Sequence, residues 1–344
     1  MSVGHIVSTC VVVFVSLRRN IAHNTMKNYY VYSRMTAAER IQYTLLYVFA
    51  FCLSLLPFRV LYWLSDFAYL ILYHWIGYRK AIVKKNLRES FPEKTDEERL
   101  QIEKQFYHFF CDYIFETIKL ASMSKAKIKR HMKFQGLEHI NQAISEGRNV
   151  ALYLAHYCNW EWVTSVTLHL PEGVYPGQIY HILESKVFDS LMLKLRSRYG
   201  SVNIERHLML RKVVEVCREN KQMVIGFIAD HAPEIHTVRH WTYFLNHDTA
   251  VITGTETIAK KFNFACMYFD IVRERRGYYT VNIMPLAMDS SKYGDFEITD
   301  MYIKALEQTI RRQPENWLWT HNRWKRTRKQ FEEYLRDHPN SQKE

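Results

Sequence analysis

NVALYLAHYCNWEW, residues 149–162, decides how the chain is read. An unbroken apolar run, Val150 to Ala155, ends abruptly in His156, and Glu161 follows five residues later. A short apolar run bounded by Gly147 and a polar turn reads as a strand buried on both faces. Asn159 is a good N-cap residue, so a helix is expected to begin beside it. The stretch is strand, turn, helix, with an imidazole and a carboxylate at the join.

The same module recurs on either side. Leu137 to Glu146 has a helical pattern that stops at Gly147. Downstream, MLRKVVEVCREN (209–220) reads as a helix and QMVIGFIA (222–229) as a strand that ends in Asp230-His231. TGTETIAKKF (253–262) is a further helix and FACMYFDIV (264–272) a further strand. GYYTVNIMPL (277–286) is expected to pair antiparallel with it, because RERRG (273–277) is too short for a crossover. Apolar strands alternating with helices predict an α/β fold: a mixed, largely parallel sheet flanked by helices.

Ahead of this region, SFPEKTDEERL (90–100) punctuates the chain. Pro92 stops what precedes it, and Thr95 with Glu98 matches a capping box for a helix running to about Leu120. Residues 41–76 are strongly apolar, uncharged from Ile41 to Pro57 and broken after that only by Arg59, Asp66 and His74. Neither half reaches the roughly 20 residues a bilayer core needs, and Pro57 interrupts the run. Arg79, Lys80, Lys84, Lys85 and Arg88 follow at once, a basic flank of the kind that stays cytoplasmic. The expectation is a membrane-inserting helical segment; the alternative is a buried core hairpin. The boundaries that follow are a loosely ordered extension (1–34), a membrane-anchoring segment (35–90), a catalytic α/β domain (91–330) and a polar tail (331–344). Met26 and Met35 are alternative starts.

Composition narrows the partners. Of 344 residues, 48% are apolar, which is enough for a sizeable core, and the formal net charge is +12. A basic excess calls for anionic partners, and because it is not gathered in one tail a nucleic-acid arm is not expected. The six cysteines, at 10, 52, 111, 158, 217 and 266, form no C-x-x-C pair and read as reduced, with no zinc site.

The candidate chemistry centres on strand ends, where open α/β sheets place their reactive groups. His156 and Asp230 both fall there. Glu161 falls in the first turn after the strand, where it could fix the tautomer of His156 and leave the other ring nitrogen as a base for a hydroxyl. The competing reading of the pair is a satisfied polar join. Cys158 is a nucleophile or a small packing residue. His231, His236, His240 and His247 are four histidines without a helical frame to bring them onto one metal. Arg196 and Arg198, in LMLKLRSRYG (191–200), either face solvent or hold a carbonyl or phosphate. There is no Gly-rich phosphate loop and no G-x-S-x-G elbow.

Taken in order, the motifs resemble a family. GYRKAIVKKNLRESFPE (77–93), AHYCNWEW (155–162), LKLRSRYG (193–200), IADH (228–231), FLNHDTAVITGTETIAKK (244–261) and PENWLWTHNRWKR (314–326) are similar to the late acyltransferases of lipid A biosynthesis. These are the lauroyl/myristoyl type within the wider lysophospholipid acyltransferase group, and the likeness runs from about Tyr43 to Arg328. The resemblance implies a glycerolphosphate-acyltransferase-like fold and an enzyme at the bacterial inner membrane with its catalytic domain facing the cytoplasm. It implies acyl carrier protein as donor, a lipid A precursor or related lipid as acceptor, and no cofactor or metal. Carried over residue by residue, it makes His156 the general base, Glu161 its orienter, and Arg196 and Asp230 further catalytic groups. Arg198, Asn159, Arg323 and Lys325 become substrate contacts. Two positions depart from the family pattern: His231 stands where Gln is expected, and Asn322 where Arg is expected. The alternatives are an acyl-CoA-dependent lysophospholipid, glycolipid or aminolipid O-acyltransferase, and a non-catalytic membrane scaffold.

Overall fold

The computed structural model describes residues 35–339; the N-terminal extension and the last five residues lie outside the described part. Two compact units emerge, one of residues up to Phe49 with Ile182–Leu195, the other of Ala50–His181 with Arg196 onward. In the first unit Lys186 pairs with Glu39 at 3.6 Å, and the Lys194 ammonium lies 4.3 Å from the Tyr47 ring centre.

The second unit carries the sheet. Its strands are β1 (Met132–Gln135), β2 (Asn149–Leu154), β3 (Tyr175–Tyr180), β4 (Val202–Glu205), β5 (Met223–Ile228), β8 (Phe264–Arg275) and β9 (Tyr278–Ala287), in the order β1-β9-β8-β2-β5-β3-β4. All neighbours run parallel except β8 and β9, which form the expected antiparallel pair. Every residue of β2 is buried, as its unbroken apolar run requires. Burying such a Val or Leu side chain is worth about 1.5–3 kcal/mol each. A separate hairpin, β6 (His240–Phe244) with β7 (His247–Val251), was not visible in the sequence. The polar tail begins within a short helix, Arg328–Asp337, capped by Thr327 and Gln330.

The apolar N-terminal stretch forms α1 (Ala37–Leu55) and α2 (Phe58–Tyr69, prolonged as a π-helix to Ile76), broken at Pro57 with a bend of 117°. Among the described residues no single helix is long and apolar enough to cross a membrane; the bent pair passes that test only together, by length and composition. The basic flank forms α3 (Lys80–Ser90). The helix α4 (Asp96–Lys119) starts on the expected capping box of Thr95 and Glu98.

Polar groups tie α2 and α4 to the β8–β9 hairpin. Arg276 bonds Asp66 at 2.6 Å and Asp112 at 2.8 Å, Arg273 bonds Asp112 at 2.7 Å, and Ser65 donates to Asp112 at 2.7 Å. The Tyr62 and Tyr279 hydroxyls donate to the buried carboxylate of Glu116, at 3.0 and 2.8 Å. Gly277 makes this junction possible. Its φ is +74°, a left-handed conformation, and a Cβ there would collide with the Tyr62 hydroxyl. Gly277→Ala is therefore expected to destabilise the protein by about 2 kcal/mol, combining left-handed strain with loss of the Tyr62–Glu116 bond. Chemical denaturation of Gly277→Ala alone and with Tyr62→Phe checks this. The second change should cost less in the alanine background than in the parent, because the bond is already broken.

Candidate active site

The register of two parallel strands builds the site. Leu154 of β2 lies opposite Ile228 of β5, and two residues beyond each stand His156 and Asp230. The His156 Nδ1–H donates to Asp230 Oδ1 at 2.8 Å, and the His156 backbone N–H donates to Oδ2 at 3.1 Å. Trp317 completes the cradle, its Nε1–H donating to the same Oδ2 at 2.8 Å. Asp230 is 1% exposed. Burial alone would raise its carboxyl, but the charge and hydrogen bond of His156, His231 and the Trp317 donor hold it well below the usual carboxylate range. A permanently ionised carboxylate on Nδ1 keeps the proton there and leaves Nε2 as a lone pair.

Glu161 takes a different place from the one expected of it. Its carboxylate is 2% exposed and is gripped by Arg196, Nε to Oε2 at 2.8 Å and Nη2 to Oε1 at 2.6 Å, with the Tyr113 hydroxyl 3.5 Å from Oε1. The expected helix after the turn is a 3₁₀ helix, Trp162–His169, and the Glu161 carboxylate just before it turns towards Arg196, the last residue of α5 (Lys186–Arg196). The carboxylate hydrogen-bonded to His156 is that of Asp230, and Glu161 is the partner of Arg196.

Two expected substrate contacts are interior groups. Asn159 is fully buried; its Nδ2 donates to Glu116 at 2.8 Å, and its Oδ1 accepts from the Trp162 N–H at 3.0 Å. Arg323 is 2% exposed and donates to the Ala250 carbonyl at 2.8 Å. Its guanidinium is pushed down to about 10 by burial. Arg198 and Lys325 are exposed; the Arg198 Nε–H reaches the Met123 carbonyl at 3.0 Å. Cys158 is buried with its thiol pushed far up by that burial, and it occupies the turn at φ +52°. It is a packing residue.

The four clustered histidines part company. His240 bonds Asp300 at 2.9 Å, His247 stacks on Trp324, and His236 is exposed beside Glu234. Only His231 joins the site, with its ring 3.8 Å from that of His156 and 9° from parallel. His156, Asp230 and His231 bring possible metal-ligand atoms within 4.8 Å of one another. Ring lone pairs lie in the ring plane, so two stacked imidazoles aim along nearly parallel lines and do not converge on a tetrahedral ion.

The C-terminal motif supplies what sequence reading missed. Tyr157 bridges to Trp317, the Leu318 N–H donates to the His156 carbonyl at 3.0 Å, and the Cys158 N–H donates to the Asn316 carbonyl at 2.8 Å. His321, from the same segment, stacks on the far face of the site at 3.8 Å and 12° from His231. Asn86 of α3 secures the segment by donating to the Trp319 and His321 carbonyls, and Arg79 by donating to that of Thr320. In the sequence the segment stood out as part of the family-like motif PENWLWTHNRWKR (314–326), with nothing to show that Trp317 and His321 would reach the site.

His231 is pushed down to about 2 by burial and then by His156, and His321 to about 4, chiefly by burial. Both have folded values below the ordinary 6.5, so between these limits the unfolded chain binds more protons. Their contribution to stability is complete above about pH 6.5 and is lost as the pH falls, down to about 4 for His321 and about 2 for His231. The melting temperature should fall from pH 7 to pH 5, and His231→Phe/His321→Phe should shallow that fall. An unchanged slope in the double variant would place the acid sensitivity elsewhere.

Comparison with known proteins gives the class first. Its relatives are acyltransferases, and so is this chain. A 130-residue match to a lipid A biosynthesis acyltransferase of Haemophilus influenzae is 28% identical and spans 37% of this chain and 40% of that protein. The lipid A biosynthesis lauroyltransferase of Escherichia coli is 23% identical over 78% of this chain and 87% of its own length. The palmitoleoyltransferase of the same organism is 21% identical over 78% and 86%. More narrowly, the family model for bacterial lipid A biosynthesis acyltransferases matches residues 33–326, and the chain belongs to that family.

Proposed function

We propose that the protein moves a fatty acyl chain from an acyl carrier protein thioester to a hydroxyl of a lipid A precursor, with His156 as general base. The observation that carries this reading is the buried Asp230 carboxylate hydrogen-bonded to Nδ1 of His156. Nε2 takes the acceptor hydroxyl proton as the oxygen attacks the thioester carbonyl. Collapse of the tetrahedral species expels the thiolate, which recovers that proton from His156. A thioester is already activated, so a base and an oxyanion donor suffice. Arg196, held in place by Glu161, is the group assigned to the developing oxyanion.

The apolar segment supports attachment to the membrane. Leu45 and Phe49 of α1 and Trp63, Phe67 and Trp75 of α2 and its π extension are exposed, Trp75 by 82%. The basic α3 follows them, as a headgroup-level flank would. The reading places the enzyme on the inner membrane, with its catalytic unit facing the cytoplasm, where acyl carrier protein is found.

Purified enzyme should acylate a lipid A precursor from acyl carrier protein thioester, and raising ionic strength should raise KM for the donor more than it lowers kcat. Equal or better use of acyl-CoA at low salt would overturn the donor. Lipid A of unchanged mass in a deletion strain would overturn the acceptor. Recovery of the full-length chain in the soluble fraction at high salt without detergent would overturn the location.

A further inference from the structure

The site holds one feature that the His156–Asp230 pair does not use. Three imidazoles, His156, His231 and His321, form a continuous stack with centre-to-centre distances of 3.8 and 3.8 Å and tilts of 9° and 12°. The stack is assembled from three remote parts of the chain: the ends of β2 and β5 and the C-terminal motif. Two of its polar atoms, His231 Nε2 and His321 Nδ1, are buried with no hydrogen-bond partner among the described residues. Leaving such atoms unpaired is costly, and an apolar ring would fill the space without that cost.

The groups facing the stack are few. His156 meets Asp230 and, edge-on, the Trp160 ring. His231 is influenced by Asp230 and Arg323 besides its two ring neighbours, and His321 by Asp230, Arg323 and Lys325. Burial, helped by Arg323 at both rings and by Lys325 at His321, keeps His231 and His321 uncharged, while the carboxylate is bonded to His156. When His156 gains a proton, its charge therefore lies flat against a neutral aromatic face. A cation over such a face is stabilised, more so where water is excluded.

We propose that His231, backed by His321, is a positioning residue for the base: its neutral ring fixes the plane of His156 and receives the imidazolium against its face during proton transfer. This rests on His156 being the base. The stack adds to catalysis only after the proton arrives, so it stabilises the transition state more than the resting enzyme. The glutamine expected by resemblance at this position has no such face.

The test compares His231→Leu and His231→Phe in the full-length, detergent-solubilised enzyme. Leucine fills space without a π face, whereas phenylalanine keeps the face and loses the nitrogens. The His156 ring is titrated by NMR on ¹³Cε1-labelled histidine, and transfer from acyl carrier protein thioester is followed against pH. His231→Leu should lower the His156 pKa by about half a unit, move the acid limb of kcat/KM down with it, and reduce kcat about threefold, the factor to which half a unit corresponds. His231→Phe should restore most of each. A His156 titration unmoved in His231→Leu, or a phenylalanine variant as impaired as the leucine one, would overturn the proposal. The NMR reads the ring whether or not it is the base. Activity surviving in His156→Ala would sink the reading of His156 as base and leave the titration result to stand or fall on its own.

Discussion

Asp230→Asn is expected to lower kcat about 10³- to 10⁴-fold with little loss of fold, nearly as much as His156→Ala, whose loss should reach about 10⁴-fold or more. The reason lies in how the carboxylate divides its two oxygens. Oδ1 accepts from His156 Nδ1, while Oδ2 accepts from both the His156 backbone and the Trp317 indole. An asparagine has one oxygen. Turned towards the two N–H donors, it satisfies more bonds, and its NH₂ then faces Nδ1. That forces the imidazole to carry its proton on Nε2, where a lone pair is needed. Trp317→Phe removes one of the two competing donors, so it should partly rescue Asp230→Asn although it is itself mildly harmful. His156→Ala/Asp230→Asn should be no worse than His156→Ala, because an orienter without its base has no effect left to lose. Additive losses, or no rescue by Trp317→Phe, would mean that Asp230 acts otherwise.

Arg196→Ala is expected to fail twice, in stability and in rate. Glu161 is almost wholly buried, and Arg196 meets both its oxygens. Removing the guanidinium strands a buried carboxylate, which costs about 3 kcal/mol or more. Glu161→Gln/Arg196→Met removes both charges and should recover much of that stability. Activity should stay about 10²-fold down if Arg196 supports the oxyanion. Arg196→Lys should recover part of the stability and little of the rate, since an ammonium cannot grip both oxygens and aim at a third. Full activity in the stable double variant would confine the pair to a structural role, and a change in KM alone would move it to substrate holding.

Much of this was legible along the chain, and the parts that were share a cause. The run before His156, the helix–strand alternation, the Thr95–Glu98 cap and the antiparallel return after RERRG are local patterns, each written within about a dozen residues. Such patterns depend on backbone geometry and side-chain period, which one sequence suffices to show. They place His156 and Asp230 at strand ends, and the motif order points to the family. They also led to Glu161 as the partner of His156, because proximity along the chain was the only proximity available.

Strand order was the missing information. His156 and Asp230 are 74 residues apart, and they meet because β2 and β5 are neighbours in the sheet. Nothing local specifies that adjacency; it follows from how apolar strands and helices of many lengths can be buried together. The same holds for Trp317, which returns 87 residues after Asp230 to close the site, and for His321 just beyond it. Asn159 and Arg323 read as polar groups available to substrate until packing enclosed them and supplied their partners. The sequence by itself determined which groups stand at the strand ends and what chemistry they can perform. Only the tertiary structure decided which carboxylate meets His156, because hydrogen bonding depends on distance in space and the chain constrains that distance only over a few residues.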